Sequence, residues 1–422
     1  MLKIDDLHVW LPRRGSVLTG VSVELPAGVH ALVGINGAGA SMLLRSIAGM
    51  LPTGARVRGT ARFQGRDLLR TIPDELDNVA YVSADEVADA PEAALLLVDG
   101  TPTHRDSMLN ALAARAARGH TVVWATHDLD GAWEVADSII ELVDGQARAP
   151  QPPATWEPRT LPEPTLLTLS RLLSLPASQC SSPRKAAMAF RASEVRIPLL
   201  PPAGAPRAVS SVRSVRIDPA ALGLEGSELL LPLDQCAGVI DVNDEPLPAP
   251  RLPGFTSLPE QLPNEPAGKA ARRLEKRFEV PKGQLLATAS SHTPLRQRDN
   301  LRRHSPGERA LLRTALLTTA PGPLWAREPQ RDLDARAKAT LAATLLRGGP
   351  AVRLLYCSDV EFLVRACTTI IVVQHRRILA VGAPTSLVTQ LPHRPIIAEA
   401  LNSTHYLRLT DLVSALYEQE SA

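Results

Sequence analysis

Residues 34–41 of the sequence read GINGAGAS and nearly complete the phosphate-binding pattern GxxxxGK[ST]. In that pattern the glycines allow backbone N–H groups to surround phosphate oxygens, and the positive end of the following helix adds to the attraction. The pattern therefore predicts that one short loop contacts a nucleotide. The predicted nucleotide-binding residues of this loop are Gly34, Asn36, Gly37, Gly39, Ala40 and Ser41.

One residue departs from the pattern, because Ala40 occupies the position of the lysine. The missing ammonium group would hold the β- and γ-phosphates and neutralise the charge that develops during phosphoryl transfer. Ser41 keeps the hydroxyl that such loops offer to Mg²⁺. The loop is therefore expected to bind a nucleotide weakly and to be poorly equipped for hydrolysis. For the loop alone, a glycine-rich turn without a ligand is the alternative.

The residues around the loop predict the strand and the helix that the pattern requires. The apolar run 31–33 predicts a buried strand, and residues 41–48 predict a helix that ends at Gly49. Upstream, residues 7–28 predict a strand, a turn and a second strand, with Trp10 near the end of the first. An aromatic residue in the core or at a sheet edge is the alternative for Trp10.

Two later apolar runs predict further buried strands that end in polar residues. The run 93–98 is followed by Asp99, which places a carboxylate at the carboxyl edge of a parallel sheet. The run 121–125 is followed closely by His127. A histidine at a strand end is often structural, but its order after the loop and after Asp99 favours a functional role.

Length and composition limit the classes of function. A chain of 422 residues that is 45% hydrophobic predicts two domains with sizeable cores. A net charge of +2 predicts no nucleic-acid partner. Four scattered cysteines predict a reducing compartment, without a metal site or a disulfide framework. The N-terminus shows no signal peptide, and no apolar run is long enough for direct membrane insertion.

The order of these motifs resembles that of the ATP-binding cassettes of ABC transporters. The resemblance implies an α/β fold with two P-loop NTPase units, with ATP or ADP and Mg²⁺ as cofactors. It also implies a transmembrane transporter subunit as partner, together with a second ABC ATPase in some assemblies. By this resemblance Trp10 stacks on adenine, Asp99 binds Mg²⁺ together with Ser41, and His127 contacts the γ-phosphate.

Besides Ala40, the first cassette departs from the family at three places. Gly100 stands where the family has the glutamate that polarises the attacking water. Ser83 stands near the position at which the family pattern has a glutamine. Only residues 85–94 separate this point from the strand that carries Asp99. The helical subdomain with the LSGGQ signature is therefore expected to be missing from the first unit.

The predicted domain organisation places a second, differently degraded cassette after a linker. Residues 1–148 form the first cassette, 149–207 a linker rich in Pro, Ser and Ala, 208–390 the second cassette, and 391–422 a helical tail. In the second cassette, residues 228–233 are predicted to be the strand that would enter a phosphate loop. Residues 238–247 are predicted to be a later strand and turn, with the loop and its helix deleted.

The remainder of the second cassette keeps recognisable family motifs. Residues 305–308 read SPGE, a signature-like sequence. Three of them, Ser305, Gly307 and Glu308, are also predicted to approach the nucleotide. A helix capping box is the alternative for Ser305 and Glu308. Arg327 stands at the position of the Mg²⁺-binding aspartate, whereas Glu328 occupies the catalytic position with a doubtful role.

These features predict a degenerate tandem cassette with one composite nucleotide site and weak or no hydrolysis. The protein would act as a cytoplasmic subunit or regulator of a membrane transporter, peripheral at the inner face of the membrane. The tail resembles that of cobalt-type or energy-coupling-factor ATPases. The alternatives are a slow ATPase that powers import, and a nucleotide-free scaffold. For the slow ATPase, Arg45 is a candidate replacement for the lysine, although its helix position directs it away from the loop.

Overall fold

The computed structural model describes residues 1–12, 15–70, 78–102, 105–193, 195–197, 214–232, 235–243, 252–260, 262, 265–290, 301 and 306–420. The chain divides into two compact units. The first comprises Met1–Leu167 with the short segment Asp334–Arg336, and the second comprises Thr168–Leu333 and Ala337–Ala422. Both units are α/β, as the sequence predicts.

The first unit is built largely from strands. Its strands are β1 (Leu2–Leu11), β2 (Gly15–Leu25), β3 (Gly28–Gly34), β4 (Arg56–Phe63), β5 (Arg66–Asp67), β6 (Val79–Ser83), β7 (Leu95–Asp99), β8 (Thr121–Ala125), β9 (Ser138–Val143) and β10 (Gln146–Ala147). Its helices are α1 (Ala40–Ile47), α2 (Arg105–Ala117) and α3 (Leu129–Val135), and α4 (Thr165–Leu172) begins at its end.

These strands form an antiparallel sheet and a larger, mostly parallel sheet. The antiparallel sheet has the order β2-β1-β4-β5, and the larger one has the order β10-β9-β3-β8-β7-β6, in which only β10 is antiparallel. Leu32 of β3 and Asp99 of β7 both pair with Ala125 of β8. The carboxyl ends of these three strands are therefore level, at the edge where open α/β sheets bind ligands.

Apolar clusters cover both faces of the parallel sheet, which explains why its strands are apolar along their length. In β7, Leu95 and Leu97 pack into the cluster on one face, whereas Leu96 and Val98 pack into the cluster on the other. This alternation leaves Asp99 as the first polar residue at the carboxyl end of the strand.

The connection between β6 and β7 is one short turn. The backbone N–H and the hydroxyl of Ser83 both donate to Glu86 Oε2, at 3.0 and 2.8 Å, at the start of a 3-10 turn over Ala84–Glu86. The bond from the backbone N–H is the one that a capping box requires of the third residue of the turn. Residues 84–94 are all described, and this turn is their one regular element. The helical subdomain that the sequence predicts to be missing thus has no counterpart there.

The remainder of the chain contains a second set of strands and most of the helices. Its strands are β11 (Ser214–Ile217), β12 (Leu229–Pro232), β13 (Cys236–Asp241), β14 (Thr256–Ser257), β15 (Leu324–Arg327), β16 (Arg353–Tyr356), β17 (Thr369–Gln374) and β18 (Arg377–Gly382). Its helices are α5 (Pro183–Ala192), α6 (Ala267–Arg277), α7 (Gln284–Ser290), α8 (Pro306–Thr319), α9 (Ala335–Leu346), α10 (Val360–Ala366), α11 (Ile396–Ala400) and α12 (Leu409–Glu420).

The main sheet of the second unit repeats the strand order of the first. Its order β14-β15-β16-β13-β17-β18 corresponds to β6-β7-β8-β3-β9-β10, again with only the last strand antiparallel. β13 therefore takes the place of β3. Between β13 and β14 lie residues 242–255, whereas residues 35–78 lie between β3 and β6. The shorter stretch lacks the length for a phosphate loop, its helix and the strands that follow.

The structure corrects the prediction about the strand that would enter that loop. β12, within the predicted strand 228–233, pairs with β11 in a separate antiparallel sheet. The central strand is β13, whereas the sequence pattern predicts there a strand that follows the deleted loop and helix. Burial explains the difference, because β13 is buried at every position whereas β12 alternates between buried and more exposed positions. A central parallel strand must be covered on both faces.

None of the helices in the described part of the chain combines the length and the apolar character that a membrane crossing needs.

Candidate nucleotide site

The loop between β3 and α1 depends on glycine at several positions. Gly37 and Gly39 have φ angles of 86° and 110°, which side chains of L-residues rarely allow. At Gly34 a Cβ atom would lie 2.9 Å from both the Ala38 Cβ and the Leu142 carbonyl oxygen. The sequence pattern thus corresponds to a loop whose backbone can be reached closely by a ligand.

The loop leads into the N-terminus of α1. Gly39 is the N-cap and, being glycine, supplies no side-chain cap to the helix. The first N–H groups of a helix have no intrahelical acceptor, and this end carries a partial positive charge, so it suits an anion. Ala40 and Ser41 are its first two residues and are half-buried.

Asn36 lies at the beginning of the loop and is buried. Its backbone N–H donates to a carboxylate oxygen of Asp334 at 2.8 Å, within the segment Asp334–Arg336 that belongs to the first unit. The N–H group of Asn36 is therefore already hydrogen-bonded to an acidic side chain. The N–H group of Ala38 donates to the Ile35 carbonyl at 3.0 Å. We therefore expect the loop to offer phosphate oxygens the N–H groups of Gly37, Gly39, Ala40 and Ser41.

Ser41 and Asp99, the two predicted Mg²⁺ ligands, meet at the level strand ends. The Ser41 hydroxyl donates to Asp99 Oδ1 at 2.8 Å. The other oxygen, Oδ2, accepts a hydrogen bond from the Tyr81 hydroxyl at 2.6 Å and lies 3.7 Å from Nη2 of Arg45. Arg45 Nε also donates to the Tyr81 hydroxyl at 3.2 Å.

This cluster contains two residues that the sequence motifs do not assign to the metal site. Tyr81 belongs to no motif. Arg45 is predicted to point away from the loop, whereas its guanidinium lies beside the predicted metal ligand. Burial lowers the pKa of Arg45, but Tyr81 and Asp99 together outweigh that effect and raise it. Burial, helped by the bond to Asp99, raises the pKa of Tyr81 to about 12. Both side chains therefore remain hydrogen-bond donors at neutral pH.

Gly100 follows Asp99 without offering a group that could orient water. Its N–H donates to the Ala125 carbonyl and its carbonyl accepts from Trp124 Nε1, both at 2.9 Å. Its φ angle is 108°, and a Cβ there would meet nothing within 4 Å. A side chain would thus have space at this position, but the backbone favours glycine.

His127 and Trp10 lie where the strand pattern predicts them. His127 is half-buried and follows β8, whose end is level with Asp99. Trp10 is half-buried near the end of β1, and its ring stacks on His8 with centroids 5.4 Å apart. The adenine and γ-phosphate contacts of these residues stay predictions.

The signature-like residues lie in part outside the described residues. Ser305 is one of these, so its capping role and its nucleotide role both stay predictions. Gly307 and Glu308 lie in the first turn of α8 and are buried. The helix continues to Thr319, and its buried residues are mostly Ala and Leu.

In the second unit, Arg327 and Glu328 are engaged by neighbouring residues. The guanidinium of Arg327 at the end of β15 lies 5.5 Å from the ring centre of Tyr356. The two carboxylate oxygens of Glu328 accept hydrogen bonds from the Ser358 N–H at 2.8 Å and from Gln330 Nε2 at 2.6 Å. These bonds fit a structural role for Glu328, which holds the ends of two neighbouring strands together.

Comparison with known protein families identifies a match in the first unit. The profile of the family described as "ABC transporter" matches residues 18–131. These residues include the glycine loop, Asp99 and His127.

Individual relatives also match only a short stretch of this chain. The probable ATP-dependent transporter SufC of Escherichia coli is 40% identical over 79 residues, which is 18% of this chain and 30% of the relative. The zinc transport system ATP-binding protein TroB of Treponema pallidum is 38% identical over 89 residues, covering 21% and 30%. The hemin import ATP-binding protein HmuV of Burkholderia thailandensis is 47% identical over 60 residues, covering 14% and 22%. The chain thus matches less than a third of each of these relatives.

Comparison with solved structures gives alignments that are much more distant in sequence. A nucleotide-free ATP-binding cassette from an ABC transporter aligns with 36% of this chain and 91% of its own, at 14% identity and a TM-score of 0.31. A structure described as RNase-L inhibitor aligns with 92% of this chain and 93% of its own, at 13% identity and a TM-score of 0.48.

Proposed function

We propose, from the premise that this chain belongs to the ABC transporter family through the cassette in its first unit, that it binds ATP or ADP there with little or no hydrolysis. The observation that carries the proposal is the loop from Gly34 to Ser41, whose glycine geometry and following helix N-terminus suit a phosphate. Binding without turnover follows from two absent groups, the ammonium at position 40 and the carboxylate at position 100.

We further infer that the protein works as a cytoplasmic subunit or regulator of a membrane transporter, at the inner face of the membrane. The names of the relatives describe transport systems, which supports a transmembrane subunit as partner. The resemblance of the tail to energy-coupling-factor ATPases stays a prediction. So does the completion of the nucleotide site by Ser305, Gly307 and Glu308.

Position 40 offers a direct test of nucleotide binding. We expect Ala40→Lys to tighten ATP and ADP binding by roughly tenfold to a hundredfold, because a charged hydrogen bond to phosphate is worth about 1.5–3 kcal/mol. Ala40→Glu should abolish binding by repulsion, yet keep the helix, since an acidic residue suits a helix N-terminus. Ala40→Gln controls for side-chain length. The measurement is isothermal calorimetry, with thermal unfolding as the check on folding.

The outcomes of this test separate the alternatives. If neither the wild type nor Ala40→Lys binds a nucleotide at millimolar concentration, the proposal fails and a scaffold role is favoured. If the wild type binds and releases phosphate at a rate that Asp99→Ala abolishes, the protein is a slow ATPase instead. Binding without such turnover supports the proposal.

A further inference from the structure

The surroundings of Asp99 differ from what a Mg²⁺ site requires. Mg²⁺ takes six oxygen ligands in near-ideal octahedral geometry and approaches carboxylates directly or through water. Here one carboxylate oxygen accepts from Ser41, and the other accepts from Tyr81 and lies 3.7 Å from the Arg45 guanidinium. The Ser41–Asp99 pair alone could open to admit an ion, but Tyr81 and Arg45 are additional partners.

Arg45 makes this cluster a poor host for a second cation. Its guanidinium is permanently charged, and a divalent ion beside it would meet like-charge repulsion in a site where Asp99 is 16% exposed. Three groups would have to move for Mg²⁺ to reach both oxygens of Asp99. The residues present therefore do not fit Mg²⁺ in this arrangement.

The same guanidinium can serve a phosphate. An arginine has five N–H donors in a planar fork that suits phosphate oxygens, and the bond to Tyr81 uses one of them. The side chain of Arg45 is 39% exposed, so it is held in place without being enclosed. It follows Ser41 by one helical turn, on the helix whose N-terminus ends the loop.

We propose that Arg45 takes the place of the divalent cation in this cassette, so that the first unit binds nucleotide independently of Mg²⁺. The proposal rests on the proposed function, because it concerns how the same loop holds its ligand. It identifies metal-free ATP or ADP as the ligand. A site with a fixed organic cation also has no mobile ion to lose, which suits a protein that holds a nucleotide without consuming it.

The test compares ADP and ATP binding by calorimetry in excess EDTA and in millimolar Mg²⁺. For the wild type we expect dissociation constants that agree within about twofold between the two conditions. Arg45→Met should weaken metal-free binding about tenfold, the scale of one charge-assisted hydrogen bond. Mg²⁺ should then restore the lost affinity, because Asp99 is no longer paired with a cation. Arg45→Lys keeps the charge and should remain insensitive to Mg²⁺.

Tyr81→Phe serves as the structural control, since it removes a bond to Asp99 and leaves the guanidinium. It should also remain insensitive to Mg²⁺, and its thermal unfolding reports whether the cluster is needed for folding. Wild-type binding that is at least about tenfold tighter with Mg²⁺ would overturn the inference and leave the proposed function intact. No binding in either condition, by the wild type or by Ala40→Lys, would instead overturn the proposed function.

Discussion

At the scale of single residues, Gly39 and Gly100 have nearly the same positive φ angle but differ in their surroundings. Their φ angles are 110° and 108°, so an L-residue is strained at both. A Cβ on Gly39 would lie 2.6 Å from Leu18 Cδ2 and 3.2 Å from the Val17 carbonyl oxygen, whereas a Cβ on Gly100 would meet nothing within 4 Å. The pair therefore separates backbone strain from steric overlap.

We expect Gly100→Ala to lower the free energy of unfolding by about 1–3 kcal/mol through strain alone. Gly39→Ala should lower it by roughly a further 1–3 kcal/mol, because Leu18 and the β2 backbone must shift. Urea unfolding of both variants measures the difference. Equal losses would show that the loop relaxes around the new methyl group. A larger residue at Gly39 would thus disturb folding as well as binding, which is why position 40 suits the binding test.

Some contacts around Asp99 could be predicted from the sequence, and others could not. The meeting of Ser41 and Asp99 follows from a loop and a strand that end at the same sheet edge, and a local pattern is enough to predict it. The position of Arg45 depends on Tyr81, which reaches Asp99 from a neighbouring strand through a pairing of distant residues. No local periodicity reports that pairing.

At the scale of elements, one carboxylate fixes the chain that follows the parallel sheet of the first unit. Glu141 on β9 is fully buried and accepts hydrogen bonds from the backbone N–H groups of Arg159 and Thr160, from the Thr160 hydroxyl and from Arg148 Nη1. Burial raises the pKa of Glu141, but these donors outweigh burial and bring the pKa below its ordinary value.

This balance predicts how stability depends on pH. Because the folded state lowers the pKa of Glu141, its stabilisation is complete above the ordinary pKa and is lost as pH falls through the lower, folded value. Glu141→Gln should reduce the free energy of unfolding by roughly 2–4 kcal/mol at pH 7, since an amide cannot accept all of these bonds. The difference from the wild type should shrink over the acidic range below the ordinary carboxyl pKa, because the carboxylate becomes protonated there as pH falls through its lowered folded value.

The measurement is thermal or urea unfolding across that pH range. Glu24→Gln is the control, because Glu24 is an exposed carboxylate on β2 whose pair with Lys3 should contribute little. A Glu141→Gln penalty that is constant with pH would mean that the carboxylate is held by packing rather than by its charge.

Elements also show where a sequence pattern misleads. Residues 228–233 and 236–241 are both short apolar runs, and a short apolar run does not reveal which sheet it joins. The position of β13 becomes clear from its parallel pairing with β16 and β17, which lie more than a hundred residues further along the chain. By contrast, β3, β7 and β8 were identified correctly because each is followed by a motif residue.

At the scale of the whole molecule, two sheets of the same strand order have unequal chemistry at their carboxyl edges. In the first unit the central strand leads into a glycine loop and the neighbouring strand β7 ends in Asp99. In the second unit the central strand β13 is followed by a stretch too short for such a loop, its helix and the strands that follow, and β15 ends in Arg327. The repeat of the fold therefore does not imply a repeat of the site.

This asymmetry predicts one nucleotide per chain, measured as the stoichiometry in calorimetry or native mass spectrometry. Ala40→Glu should reduce it to zero, because it blocks the loop that supplies the phosphate contacts. Arg327→Asp should leave it at one, since a carboxylate at the end of β15 cannot replace the missing loop and helix N-terminus. Two nucleotides in the wild type, or one retained by Ala40→Glu, would place a site in the second unit. A phosphate loop would then not be required for nucleotide binding in the second unit.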